Sequence, residues 1–524
     1  MILALIPFLL LLLGAGLIPI VARKGPQFVA QTAVSVSGVT LLIWLVARTQ
    51  SPFTVTIGNW ADGELFSSFA WQVDLVNWKV VAALLLLLFV ASLSKVNRPK
   101  EEVEPFAYLF FLTAVSYTAI CAANLMSMII GIALLMLPWL FAIWQQMTTD
   151  YGRLLRYMMM ICGAIGLIWY GMAITPVIPG WPLQNMPPTN AVTAVAFAGA
   201  LLVGIWPFYG WRLRIQDVPN EVALFGFIIP TAIGGVLFAR FVNSTLINPN
   251  IQLLLSLFAF LGLLHAIRLA WSHLDTPRMI AMAILFAQAQ LVLLSGIWVN
   301  GIAVTAELPV LILAGGILFL APEEPIRRER AWQAVAPMIA LASFVALPLT
   351  TGFVGRAALY SVWLENGRFL FVIVLAILTI PLATAMILRF WPKMSATEAD
   401  PITNRELQEL TIPAISRDGG ILLLAIAFIS VFGIGWSLVH PLAYIMIFLS
   451  FIVGLVLLRF IEEAQQVQDV FQQAFSVGAA IPSERLQAIG DDLGTAVRDA
   501  AKILEGEGGL VWLFILAVLF FLLS

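Results

Sequence analysis

The chain reads as an all-α polytopic membrane protein, and three observations carry that reading. Of its 524 residues, 61% are hydrophobic and only 11% are charged, where an ordinary soluble domain has roughly 25% charged. Hydrophobic segments of membrane-spanning length, about 20 residues each, recur along almost the whole chain. The basic residues between them fall on alternate loops, the signature of a chain threaded repeatedly through a bilayer.

Hydropathy places about 16 transmembrane helices, near 2–22, 27–47, 78–94, 105–123, 124–144, 154–175, 190–209, 221–240, 250–270, 278–296, 299–321, 333–350, 369–390, 419–439, 441–460 and 508–523. Basic residues follow the odd-numbered spans: Arg23 and Lys24, then Lys95, Arg98 and Lys100, then Arg153 and Arg156, then Arg212 and Arg214. Further on come Arg268 and Arg278, then Arg327, Arg328 and Arg330, then Arg389, Lys393, Arg405 and Arg417, then Arg459, Arg485, Arg498 and Lys502. Only Arg48, Lys79, Arg240, Arg356 and Arg368 fall elsewhere. The positive-inside rule makes the basic face cytoplasmic, so both termini are expected on the outer side of a cell inner (plasma) membrane. The N-terminal stretch has no basic n-region and no small-residue cleavage site, and reads as a retained first span.

Within the transmembrane bundle expected over 1–460, residues 51–77 depart from the pattern. They alternate polar with aromatic and β-branched residues around Asp62-Gly63, which predicts an outer-face β-hairpin. Residues 461–507 are charged and amphipathic, with Val467, Val470, Phe471 and Phe475 at helical spacing. They predict a lateral helical segment along the cytoplasmic interface or a partner subunit, broken near Pro482 and Gly490; a solvated linker to the last span is the alternative. Residues 508–524 form the final transmembrane helix.

An ionisable side chain inside a span costs about 2.5–3.5 kcal/mol on insertion scales, so each one is a candidate for function. Five form the ion-pathway set. Glu307 lies about a third of the way into span 11, and His265 lies within span 9. Glu221 opens span 8 four residues after Asp217, where an acidic group suits a helix start and could pair with Arg212 or Arg214. Lys79 opens span 3 and can snorkel to the interface. Arg356 follows the Pro348 break on a glycine-flanked segment, Thr351-Gly352-Phe353-Val354-Gly355-Arg356, and a permanent charge there needs a partner or a wet cavity.

Other chemistry finds no support. Cys121 and Cys162 fall in apolar segments without CxxC or histidine partners and read as buried thiols. Neither a Walker loop, a dinucleotide fingerprint, a nucleophile elbow nor a metal-ligand cluster occurs, so no catalytic site, cofactor, metal or nucleic-acid partner is expected. Ala196-Phe197-Ala198-Gly199 and Ala314-Gly315-Gly316 read as small-residue helix packing.

The order of motifs resembles the antiporter-like membrane subunits of respiratory complex I and the Mrp sodium/proton antiporters. Asp74 and Trp78 in WQVDLVNW resemble the family's Val-Asp-x-Leu start of span 3, and Asn124-Leu125-Met126 through Pro138 resembles its Asn-Leu-Leu segment. Pro207-Phe208-Tyr209-Gly210-Trp211 resembles Pro-Phe-His-x-Trp, with Pro219 where a Gly-Pro-Thr-Pro turn begins. Asp275-Thr276-Pro277-Arg278 with Ala281 resembles Asp-Leu-Lys-Arg-x-x-Ala, and Leu347-Pro348 through Arg356 resembles Gly-x-Pro…Gly-Phe-x-x-Lys.

The resemblance implies an antiporter-like fold and a membrane-arm subunit of an NADH:quinone oxidoreductase-like or Mrp-like complex. Its partners would be other membrane subunits, lipid, and protons or sodium ions. It also implies losses: the family's relay Glu on span 5 falls at Ala133, its span-7 Lys at Leu202, and its span-8 His or Lys near Phe227 and Pro230. Glu307 occupies the position of a later Lys, and Tyr209 that of the His after Pro-Phe. A relay needs groups that gain and lose protons, so a degenerate, non-conducting scaffold or coupling subunit is the alternative. An independent secondary transporter is the third reading.

Overall fold

The computed structural model describes residues 2–59, 68–96, 105–138, 151–174, 189–209, 220–272, 277–299, 301–321, 332–347, 350–390 and 418–426, with a few isolated positions besides. The amphipathic segment 461–507 and the final span 508–524 lie outside these residues, as do 427–439 of expected span 14 and most of expected span 15. Among the described residues, eight helices are long and apolar enough to cross a membrane, and five more apolar helices are shorter. The chain is a multi-pass membrane protein.

The first ten helices begin where the spans were expected, although α5 and α7 end well before 144 and 209: α1 (Ile2–Val21), α2 (Pro26–Ala47), α3 (Leu75–Ser94), α4 (Phe106–Ile120), α5 (Leu125–Leu134), α6 (Tyr151–Ala173), α7 (Thr189–Val203), α8 (Asn220–Phe241), α9 (Pro249–Ser272) and α10 (Pro277–Trp298). Two of the resembling motifs turn out to be helix starts. The Asp74 carboxylate accepts from the Asn77 amide at 3.0 Å, and the Asn124 side chain accepts from the Ser127 amide at 2.8 Å. Such caps satisfy an orphan donor and stabilise a helix by about 1 kcal/mol.

Expected span 11 is a continuous helical stretch interrupted by a π turn, and expected span 12 ends early. Span 11 divides into α11 (Ile302–Pro309), a π-helical turn (Val310–Ala314) and α12 (Gly315–Leu320). Pro309 has no N–H to donate one turn back, which breaks the ladder there. Span 12 holds only α13 (Val335–Phe344) and then a turn with Ala346 at φ 62°, after which a further helix, α14 (Thr351–Glu365), begins beyond the expected span. At 1.5 Å per residue α13 reaches about 15 Å and α14 about 22 Å, so neither crosses a hydrocarbon core of about 30 Å alone. The segment after residue 350, expected to follow the end of a span, is therefore a helix of the bundle. Helix α15 (Phe369–Phe390) coincides with expected span 13.

Helices α3, α8, α10 and α11–α12 form the centre, with 78%, 94%, 100% and 94% of their apolar windows buried. They pack through small residues: Gly316 meets Leu87 of α3 and Gly199 of α7 meets Phe238 of α8, each too closely for a Cβ, as the small-residue motifs predicted. Helices α2 and α9 are only 33% and 39% buried. They present Phe28, Leu42 and Val46, and Leu253, Leu257 and Leu264, outward. Apolar stripes of that extent are stable only against lipid or another membrane chain. Cys121 is buried, but Cys162 lies exposed on α6; the expectation of two buried thiols held for one.

The expected hairpin forms two antiparallel strands, β1 (Phe53–Asn59) and β2 (Ser68–Val73), paired from Phe53↔Val73 to Asn59↔Ser68 with a register shift between Thr56 and Gly58. Its tip at Asp62-Gly63 lies outside the described residues. Strand β2 docks on the α4–α5 corner, where Gln72 N–H donates to the Cys121 carbonyl at 2.7 Å and Ala70 N–H to Ser127 Oγ at 3.0 Å. This defines a hairpin end of the bundle, shared by the start of α3 and the end of α8.

Candidate functional site

The helix breaks converge on one buried polar cluster. Glu307 lies two residues before Pro309 on α11 and is 1% exposed, while Arg356 on α14 is 3% exposed. The Nε2 of Gln288, at the middle of α10, donates to Glu307 Oε2 at 2.6 Å and lies 3.4 Å from the Glu307 carbonyl. That carbonyl also takes the Val310 N–H at the start of the π turn.

The other oxygen of Glu307 faces α14. A Cβ on Gly355 would sit 2.7 Å from both Cγ and Oε1 of Glu307, so the carboxylate rests directly on the α14 backbone. Gly352 is equally constrained, since its Cβ would lie 2.0 Å from the Ser343 carbonyl at the end of α13. These two glycines, three residues apart on one face of the first turn of α14, let it press against both α11 and α13.

Arg356 closes the cluster. Its Nη2 donates to the carbonyl of Phe344, the last residue of α13, at 3.3 Å. The orphan carbonyls at a helix C-terminus carry partial negative charge, and a guanidinium is well suited to them. Arg356 also lies within electrostatic reach of Glu307 and of the buried Tyr360 hydroxyl one turn further along α14. A broken helix at membrane depth needs its freed backbone groups satisfied by protein, and Arg356 serves that need while balancing Glu307.

Among the described residues, Glu307 Oε1, Gln288 Oε1 and Arg356 Nε have no hydrogen-bond partner. Buried polar atoms of this kind are where proteins hold ordered water. The cluster thus pairs a carboxyl, which can gain and lose a proton, with a cation that cannot. π-turns are frequent at functional sites.

The remaining candidates lie apart. The His265 ring on α9 sits 4.8 Å from that of Tyr209 and 5.7 Å from that of Phe286 on α10, centroid to centroid. An imidazole from α9 thus packs against the tyrosine of the Pro-Phe-Tyr motif. Nearby, Gln290 Nε2 lies 3.4 Å from the Gly204 carbonyl, where α7 has ended. Glu221 does stand in the first turn of α8, but its partner is Lys95 at the end of α3, at 2.9 Å; Asp217, Arg212 and Arg214 lie outside the described residues. Lys79 is half-buried in α3, within electrostatic reach of Arg48. Of the apolar substitutions, Leu202 and Phe227 are buried on α7 and α8, and Ala133 is half-buried near the end of α5.

Two participants escaped the sequence reading, Gln288 and Tyr360. The run Ala287-Gln288-Ala289-Gln290 inside an otherwise apolar span was the available signal. For Tyr360 it was the i, i+4 spacing from Arg356, which places both on one helix face. Arg240 was also undervalued. It ties the hairpin end together, donating to the Gln72 side chain and the Ala122 carbonyl and lying 3.4 Å from Asp74 Oδ2.

No protein-family model and no curated protein sequence matches the chain. Solved structures do match. A subunit in the structure of the Mrp complex from Dietzia sp. DQ12-45-1b is 16% identical, with a TM-score of 0.62 over 82% of this chain and 93% of that one. A chain of respiratory complex I from Thermus thermophilus with bound NADH is 16% identical, with a TM-score of 0.60 over 85% and 99%. One from the same complex with bound aureothin is 18% identical, with a TM-score of 0.57 over 81% and 97%. Mrp complexes and respiratory complex I are the systems that the ordered motifs resemble, and the chain has the fold of their membrane subunits.

Proposed function

We propose that this chain is a membrane-arm subunit of an NADH:quinone oxidoreductase-like or Mrp-like complex, and that it takes part in moving protons (or sodium ions) across a cell inner (plasma) membrane. The observation that carries the reading is the buried Glu307–Arg356 cluster, set beside a π turn and the turn that ends α13. A buried carboxyl and guanidinium are expensive to keep in a bilayer and are more readily explained by transport than by stability. Glu307 would be the group that changes protonation, Arg356 the fixed charge that tunes it, and Gln288 and Tyr360 the groups that position both. Water held at the orphaned atoms would carry the proton onward. His265, Glu221 and Lys79 are the further pathway candidates. The fold shared with Mrp and complex I subunits supports the class of complex. Both termini would lie on the outer side.

A second reading has its own observation. Ala133, Leu202 and Phe227 supply no titratable group where the resembling family has one, which favours a non-conducting scaffold or coupling subunit. Proton flux in proteoliposomes separates the two. If the complex pumps through this chain, Glu307→Gln abolishes the flux that the intact chain supports. If pumping stoichiometry is unchanged when the chain is deleted from an otherwise intact complex, the transport reading is wrong.

A further inference from the structure

Five cations stand outside the alternation of basic loops, and the structure accounts for three. Arg240 pairs with Asp74, Arg356 belongs to the Glu307 cluster, and Arg368 lies with its guanidinium carbon 4.0 Å from the Trp298 ring centroid. Arg48 and Lys79 differ. They stand close enough at the hairpin end to repel one another. Neither has an acidic partner or a side-chain hydrogen bond among the described residues.

Their placement is built rather than incidental. Trp44 of α2 donates from Nε1 to the Trp78 carbonyl at 3.0 Å, and Trp78 of α3 donates from Nε1 to the Trp44 carbonyl at 3.0 Å. Both indoles are buried, so the reciprocal bonds lock the end of α2 to the start of α3. Arg48, which caps α2, lies 4.8 Å from the centroid of the Trp78 ring, and Lys79 is the next residue after Trp78. Two like charges are thereby held side by side on a rigid platform.

We propose that Arg48 and Lys79 form a binding site for the phosphate of an anionic phospholipid in the leaflet at the hairpin end. A bridging phosphate would relieve the repulsion between them, and a guanidinium and an ammonium are both established phosphate binders. The apolar part of the ligand also has a place. Leu42, Leu45 and Val46 on α2 are 64%, 37% and 56% exposed, within two helical turns of Arg48 on its membrane side. A headgroup at Arg48 and Lys79 would lay its acyl chains along that strip. The site is separate from the Glu307 cluster and does not depend on the transport reading.

The test uses the full-length chain in nanodiscs and in detergent, probed with phosphatidylglycerol, phosphatidylcholine and inorganic phosphate. Retained lipid is counted by native mass spectrometry. The intact chain is expected to retain phosphatidylglycerol over phosphatidylcholine. Arg48→Gln and Lys79→Gln should each weaken that retention about fivefold, following the attraction each basic side chain contributes at an anionic surface. The charge-conserving pair Arg48→Lys and Lys79→Arg should preserve it, which separates loss of charge from loss of folding. Equal retention of the two lipids overturns the proposal, as does undiminished phosphatidylglycerol on the doubly neutral variant. Displacement of the lipid by millimolar inorganic phosphate would overturn it in favour of a free-anion site.

Discussion

The Nε2 of Gln288 lies 2.6 Å from Oε2 of Glu307, joining the middle of α10 to α11 two residues before its ladder breaks at Pro309. A neutral amide here does what a second charge could not: it stabilises the carboxylate without locking it into a permanent ion pair. Removing one partner of a buried hydrogen bond leaves the other unsatisfied at about 1–3 kcal/mol. Gln288→Leu is therefore expected to lower the stability of the purified chain by that amount. Thermal unfolding in detergent checks it, and an unchanged midpoint would remove Gln288 from the cluster.

The contact between Glu307 and Gly355 makes a sharper prediction. A methyl group at position 355 would lie 2.7 Å from two atoms of the Glu307 side chain, and overpacking of this kind typically costs about 1–3 kcal/mol. Gly355→Ala should be destabilising alone but close to neutral in a Glu307→Ala background, where the obstructing atoms are gone. A double-mutant cycle on unfolding free energies measures that coupling. Strict additivity would show that α14 does not rest on Glu307.

Lys95 and Glu221 join the end of α3 to the start of α8 at 2.9 Å, with side chains 15% and 10% exposed. Breaking a pair this buried from one side leaves a charge without compensation, at about 3 kcal/mol. Lys95→Met should therefore cost more than the double change Lys95→Met with Glu221→Gln, which removes both charges. Denaturation of the three variants gives the ordering; a double variant less stable than either single one would contradict it.

Arg240 serves the opposite end. It binds β2, the α4–α5 corner and Asp74 together, so Arg240→Met is expected to loosen the hairpin without disturbing α10. Amide hydrogen exchange should accelerate at Gln72 and Ala123, whose N–H groups hold the strand to that corner, by roughly tenfold or more. Exchange in α10 should stay unchanged. Uniform acceleration through the whole bundle would mean that Arg240 is a global rather than a local clamp.

Much of the architecture could be read from the residues because it depends on local sums. Span 13 was expected at 369–390 and α15 occupies Phe369–Phe390; span 8 was expected at 221–240 and α8 runs Asn220–Phe241. In both cases burial in lipid depends on hydrophobicity averaged over one stretch of chain. The alternation behind the hairpin strands is equally local. Span 11 was expected at 299–321 and a helical stretch fills Ala303–Leu320, but its π turn and the early end of span 12 were not foreseen, because hydropathy measures transfer of side chains and is blind to backbone hydrogen bonds. Pro309 and the turn at Ala346 cost nothing on a hydropathy scale, yet one accompanies a π turn and the other ends α13.

The candidate site was half legible for the same reason. Glu307 and Arg356 stood out because an ionisable group in an apolar run is conspicuous wherever it points. Their companions did not, since glutamine and tyrosine are unremarkable until something charged is seen beside them. Glu221 was matched to arginines nearby in sequence, whereas its partner is at the end of α3.

From the sequence alone came the membrane class, the succession of helices, the hairpin and the identity of the costly charges, because each follows from the solvation of a single segment. Only the tertiary structure decided which charges meet, where a π turn and a helix end fall and which glycines admit a carboxylate. Those depend on helices far apart in the chain arriving at the same depth, and in an apolar bundle a buried charge is satisfied by whatever its neighbours bring.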